Sequence, residues 1–182
     1  MAKRKKLYCY STVKSFLEGL AGKKAPQLLQ IYEKTNSPIK DEEMANKMKL
    51  KVTDIRTMLN RLHYRGITNY QKKRNKKTGW YSYTWHIDRK RILELIIEKQ
   101  MEEIEKLEQK KETEESYSFF SCKNNCHEFP FEIAAEYQFK CPQCGKELQY
   151  IDNKKRTREA QKKIKIMKKE VEEFKQILSE TQ

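Results

Sequence analysis

Apolar residues recur at helical spacing through the first third of the chain. Val13, Phe16, Leu17 and Leu20 follow Ser11 at steps of three and four, which predicts a helix that Gly19 and Gly22 end. A second helix is predicted from about Pro26, a proline suited to a first helical turn, through Leu28, Leu29, Ile31 and Tyr32 to Asn36, before Pro38 breaks the chain. Asp41, Glu42 and Glu43 set negative charge at the start of a third helix carrying Met44, Ala45 and Met48, where it suits the helix dipole. Leu50 packs after a short turn. The clearest amphipathic spacing comes next: Val52, Ile55, Leu59 and Leu62 form one face, and Gly66 stops the helix. The opposite face carries Thr53, Arg56, Thr57, Asn60, Arg61 and Tyr64.

After Gly66 the period changes from helix to strand. Ile67, Tyr70, Trp80, Tyr81, Tyr83, Trp85 and Ile87 flank a polar run, Lys72-Lys73-Arg74-Asn75-Lys76-Lys77-Thr78-Gly79, so two aromatic strands joined by a basic turn predict a β-hairpin. Helices followed by such a hairpin have the order of a winged helix-turn-helix, in which the last helix and the wing can meet nucleic acid. Residues 1–88 are read as that domain. Trp85 and Ile87 are expected to pack under the recognition helix. Trp80 and Tyr81, beside the basic tip, are read as exposed contacts or as further core, and Lys72 to Lys77 as a binding surface or a solvated loop. Arg56, Asn60 and Arg61 are the donors that recognition of base edges would use.

Residues 89–115 contain neither Pro nor Gly, and Leu93, Ile97, Ile104 and Leu107 fall on a heptad seam that Gln100 interrupts. This predicts a long helical linker. Residues 154–182 form a second such element, with Ile164, Met167, Val171, Phe174 and Leu178 at steps of three and four. The two could pair antiparallel with the segment between them at the tip; the tail seam could also dock on a partner or on a second copy of itself.

That segment, 116–153, holds four of the five cysteines in two close pairs, Cys122 with Cys126 and Cys141 with Cys144. Two turns presenting two thiolates each would close a tetrahedral Zn²⁺ site, one structural ion in a zinc ribbon. In Cys141-Pro142-Gln143-Cys144-Gly145 the proline pre-sets the turn and Gly145 can take a positive φ. The first pair is one residue wider than the common spacing, and Asn124-Asn125 tolerates the left-handed turn. Disulfides or free buried thiols are the competing readings, and His127 could replace Cys126 as a ligand. The module's many aromatic residues are expected to be mostly core. So small a unit should need its ion to fold. The expected fold class is therefore α+β: N-terminal winged helix-turn-helix, long helical linker, C-terminal four-cysteine zinc ribbon and C-terminal helix.

Charge sharpens the functional reading. The chain has 182 residues and a net charge of +14, and residues 1–88 hold 20 Lys and Arg against 7 Asp and Glu. A positive field of that kind attracts polyanions, with strong salt dependence if the partner is nucleic acid. The tail's basic residues are read as a solvated face. His63, His86 and His127 are scattered, there is no glycine-rich phosphate loop, and four thiolates would fill the metal's shell, so no enzyme and no small-molecule substrate are expected. No apolar run approaches the roughly 20 residues that cross a bilayer, the basic start lacks an apolar leader, and unpaired Cys9 argues against a disulfide framework. An intracellular, cytoplasmic and nucleoid-associated protein with no membrane partner is expected.

Asp41-Glu42-Glu43-Met44-Ala45, Val52-Thr53-Asp54-Ile55-Arg56-Thr57-Met58-Leu59-Asn60-Arg61-Leu62 and the aromatic wing ending Trp80-Tyr81-Ser82-Tyr83-Thr84-Trp85, followed by the four cysteines, resemble archaeal transcription factor E. That family is the counterpart of the alpha subunit of general factor IIE. The resemblance covers nearly the whole chain and implies a basal initiation factor that binds RNA polymerase at the clamp and stalk and promoter DNA at the non-template strand near the bubble. It implies assistance to promoter opening without hydrolysis, and a beta-like subunit is a further candidate partner. The expected contacts are Lys72, Lys73, Arg74, Lys76, Lys77, Trp80 and Tyr81, with Arg56 and Arg61. The rival expectation is a sequence-specific winged-helix DNA-binding regulator that dimerises through its helices.

Overall fold

The structure is a computed structural model and describes residues 6–74, 76, 79 and 81–180. They form two compact units, one of residues 6–97 with 178–180 and one of residues 98–177.

The first unit opens with a 3-10 turn, Leu7–Cys9, and continues with α1 (Ser11–Ala21), α2 (Ala25–Thr35), α3 (Asp41–Met48) and α4 (Val52–His63). Gly19 does not end α1. The helix runs through it to Ala21 and stops where Gly22 takes a φ of 98°, which turns the chain off the helical path. Asn36 and Lys49 end α2 and α3 in the left-handed region, at φ 50° and 53°. α4 ends at His63, and Gly66 (φ 71°) makes the turn that lets the Ile67 N–H donate back to the Leu62 carbonyl at 3.0 Å.

The strands β1 (Ile39–Lys40), β2 (Thr68–Arg74) and β3 (Tyr81–Ile87) form an antiparallel sheet in the order β1-β3-β2. β1 lies on the far edge of β3, with Ile39 opposite Trp85. Two residues after a proline are too few to show a strand period, which is why the sequence does not reveal it. Leu17, Leu28, Leu29, Ile39, Ile55 and Leu59 are almost wholly buried, each contributing about 1.5–3 kcal/mol by leaving water. Trp85 and Ile87 are buried as expected, 2% exposed each. Leu7 is fully buried too. Its N–H and that of Tyr8 donate to the Glu33 carboxylate at 3.1 and 3.2 Å, and Arg89 forms an ion pair with the same group at 2.9 Å.

α5 (Arg89–Ser116) is continuous and contributes residues to both units. The second unit adds β4 (Phe119–Cys122), β5 (Glu128–Pro130), α6 (Phe131–Glu136), β6 (Leu148–Ile151) and α7 (Lys154–Ser179), with the strands antiparallel in the order β5-β4-β6. α6 was hidden in the sequence because six residues are under two helical turns. Within this unit α5 and α7 pair antiparallel. Gln100 donates to Glu170 at 2.6 Å near one end, and Asn153 donates to the Glu114 carbonyl at 3.2 Å near the other. Ile104, Ile164, Met167, Val171 and Phe174 are buried along the seam, with Gln100 as its polar layer. The four-cysteine module sits between the helices in the chain. Among the described residues no helix is long and apolar enough to cross a membrane.

Candidate metal centre and basic hairpin

The four cysteine sulfurs come from two turns. β4 delivers Cys122, whose carbonyl accepts from the Asn125 N–H at 2.8 Å; Asn125 has a φ of 52°, and the turn returns the chain to Cys126. The second turn is framed by the Lys140–Glu147 bridge. The Gly145 N–H donates to the Cys141 carbonyl at 2.8 Å, and Gly145 takes a φ of 70°. Both left-handed positions are those the sequence marked. The sulfurs of Cys122, Cys126, Cys141 and Cys144 all lie within 4.8 Å of one another, and Cys122 and Cys144 approach to 3.3 Å. None is in a disulfide. His127 is not among the grouped ligands; its ring is exposed and stacks on Phe129, centroids 6.1 Å apart.

The four thiols are grouped closely enough to hold one cation. The Asn124 N–H donates to the Cys122 sulfur at 3.4 Å and is the main reason its pKa falls to about 7. Hydrogen bonding to Cys144, with burial, pushes Cys126 up to about 12. The Cys122 and Cys144 thiols thus hold back ionisation of Cys126, and a bound cation would relieve that by taking the place of the proton. Sulfurs around a tetrahedral metal at about 2.3 Å stand roughly 3.8 Å apart, so this spacing suits one. Cys122 and Cys141 are also two of the module's four buried core residues, with Ala134 and Leu148.

The module's aromatic residues are less buried than expected. Phe131, Phe139 and Tyr150 surround Phe120 with centroids 5.1–6.2 Å away. Phe131 and Tyr150 are nevertheless 49% and 62% exposed, because the cysteines occupy the centre that a larger domain would fill with rings.

The hairpin of the first unit is built differently. Strand pairing puts Tyr70 opposite Trp85, Lys72 opposite Tyr83 and Arg74 opposite Tyr81, so these six side chains share one sheet face. Near the helices that face is core. Towards the tip it leaves the body and becomes a cation–aromatic surface, with Lys72 Nζ 3.9 Å from the centre of the Tyr81 ring and Tyr81 48% exposed. Arg74 lies 6.0 Å from the same ring and donates to the Gly79 carbonyl at 3.4 Å. Lys73 and Lys76 are exposed. Lys77 and Trp80 lie outside the described residues.

On α4, Arg61 and Asn60 are exposed. Arg56 has two intramolecular partners. It donates to the Asp41 carboxylate at 2.5 Å, and its guanidinium lies 5.5 Å from the centre of the Tyr83 ring. The sequence marks Asp41 as a charge at a helix start and Tyr83 as a strand aromatic, and reveals neither as a partner of Arg56. The acid's side chain is 2% exposed, and only the contact between distant positions shows it as the anchor of Arg56.

Residues 11–116 match the family described as the TFIIE alpha subunit. The chain belongs to this family. It is similar to transcription factor E of Metallosphaera sedula, 34% identical over 159 residues that cover 87% of this chain and 90% of the relative. Transcription factor E of Saccharolobus islandicus is 32% identical over 155 residues, 85% of this chain and 89% of its own, and that of Saccharolobus solfataricus is likewise 32% identical, covering 85% and 87%. The TFIIE alpha match thus holds α1 to α5, and matches covering so much of the chain also take in the cysteine module.

Proposed function

We propose that the protein is a basal transcription initiation factor, an adaptor between RNA polymerase and promoter DNA that helps the promoter open and stabilises the open complex without catalysis. The first unit is a winged helix with α4 as its recognition helix and β2 and β3 as its wing; the second is a zinc ribbon carried on paired helices. Membership of the TFIIE alpha family, with the likeness to transcription factor E over most of the chain, carries this reading. The ion is Zn²⁺, because four thiolates make a closed, soft, structural shell with no open position for a substrate.

A protein that binds the open state better than the closed one shifts that equilibrium by its differential affinity, with no reaction of its own. The exposed face of the wing suits that task. Tyr81, with Trp80, offers rings on which unpaired bases stack, and Lys72, Lys73, Arg74, Lys76 and Lys77 offer charge to the displaced non-template strand. Arg56 and Arg61 on α4 face the same partners. Arg56 already has Asp41 and Tyr83 as partners. That favours a docking role for α4 over base-edge readout. The polymerase clamp is the proposed partner of the winged helix and the stalk that of the ribbon, with a beta-like subunit as a third.

Footprinting of open complexes formed by purified polymerase, with and without the protein, tests this. Reversing charge at Lys72, Lys73 and Arg74 should lower open-complex yield at low salt while metal content stays unchanged. Tight, sequence-dependent binding to duplex DNA without polymerase would instead establish a regulator and overturn the adaptor.

A further inference from the structure

Residues 154–169 hold nine Lys and Arg and one acid, Glu159. Three of the nine are spent on their own unit. Arg156 pairs with Glu128 at 2.8 Å, and Lys163 and Lys168 pair with Glu103 and Glu108 at 2.6 Å each. Five of the other six are arranged differently. Lys155, Arg158, Lys162, Lys165 and Lys169 step along α7 by three and four, and all five are exposed. At about 100° per residue they occupy the side opposite Ile164, Met167 and Val171, which are buried along the α5 seam. They form a straight line of positive charge about 21 Å long, at roughly 1.5 Å per residue.

Other helices of this chain neutralise surface cations along their own length, as in Lys47 with Glu43, Arg91 with Glu94 and Lys111 with Glu115. The α7 line does the reverse over most of its length, placing like charges at the spacings where helical neighbours repel, with exposed Glu159, four residues after Lys155 and three before Lys162, the one acid within it. A polyanion running alongside the helix removes that repulsion.

We propose that this face of α7 binds the phosphate backbone of duplex DNA, independently of sequence and of the wing. Duplex DNA carries a negative charge about every 1.7 Å of its axis, so the line matches it in charge and in form. The face has no aromatic residue on which single-stranded bases could stack. It has no Asn or Gln between Lys155 and Lys169 on its line to read base edges. Ile166 is the one apolar side chain beside it, 68% exposed, which is too little to anchor a protein partner.

The test is anisotropy of a labelled duplex of about 30 base pairs, titrated with the full chain across a salt series without polymerase. The triple variant Arg158→Gln, Lys162→Gln and Lys165→Gln should flatten the slope of log K against log salt by about 2 to 3, and weaken binding at least about tenfold near 100 mM salt. Lys162→Gln alone, a single exposed change that leaves the seam intact, should flatten it by about 0.9. Unchanged slopes in both variants overturn the proposal. So does an unchanged duplex slope accompanied by loss of poly-glutamate binding, which would assign the face to an acidic protein. Neither result touches the open-complex experiment, whose charges lie on the wing.

Discussion

Removing the proposed Zn²⁺ should loosen more than the module that would hold it. With Cys122 and Cys141 taken as ligands, the module's remaining buried side chains are Ala134 and Leu148, helped by partly buried Phe120 and Phe129. A fully buried Leu contributes about 1.5–3 kcal/mol, while ordering a residue's backbone costs about 1–2 kcal/mol. Such a core cannot hold residues 117–153 by itself, whereas a four-thiolate zinc site contributes about 10–16 kcal/mol at neutral pH. Melting it also releases the Asn153–Glu114 closure, so α5 and α7 become joined by a loose loop of roughly 40 residues, costing about 3 kcal/mol to close by (3/2)RT ln n. The helix pair should lose about that much stability. Thermal melts followed by far-UV circular dichroism, before and after chelation, measure the loss. Trp85 lies in the first unit, and Trp80, the other tryptophan, falls in sequence outside residues 98–177, so tryptophan emission should stay constant while helical signal falls. A chelated protein with an unshifted melt would refute the reasoning, as would tryptophan emission that changes in step with the helices.

Two further outcomes follow from the first unit. Arg56→Met leaves the Asp41 carboxylate, 2% exposed, with only the Glu42 N–H at 3.0 Å, and should cost about 3 kcal/mol; Asp41→Asn lets the 42%-exposed arginine return to water and should cost about 1 kcal/mol. Urea unfolding followed by tryptophan emission compares them, and equal costs would show that the buried carboxylate does not dominate. Burial raises the pKa of Tyr32, whose hydroxyl meets His86 Nδ1, so the stability it contributes by staying protonated is complete below the unfolded pKa near 10 and lost as pH rises through the folded value. Tyr32→Phe should flatten the alkaline decline and cost about 1 kcal/mol at neutral pH, which unfolding series at pH 8 to 11 would check.

Much of this architecture was legible because its signals are local. The seam residues of α4 and α7 repeat at helical spacing, and the hairpin announces itself by aromatic strands around a basic turn. Asn125 and Gly145 were identifiable as left-handed positions because residue type restricts φ directly. What escaped was non-local or brief. β1 exists only by pairing with β3, Leu7 is core only because Glu33 ties its segment down, and α6 is shorter than the window a period needs. Gly19 misled because a glycine inside a helix and one ending it look alike until φ is known. The grouping of the four cysteines was readable from their spacing, whereas the pairing of Arg56 with Asp41 depends on how α3 and α4 are placed. The same is true of α7: its cations were visible as composition, but which of them meet an acid emerged only from packing against α5 and β5.

α5 has one unbroken backbone, yet residues Arg89–Ile97 belong to the first unit and Glu98–Ser116 to the second. An amide's protection against hydrogen exchange reflects the opening of the unit that buries its surroundings, not the length of the helix containing it. Exchange rates along α5 should therefore step near Ile97 although the geometry does not. Such a step would mark one helix as two thermodynamic objects, with the boundary between cooperative units in mid-helix.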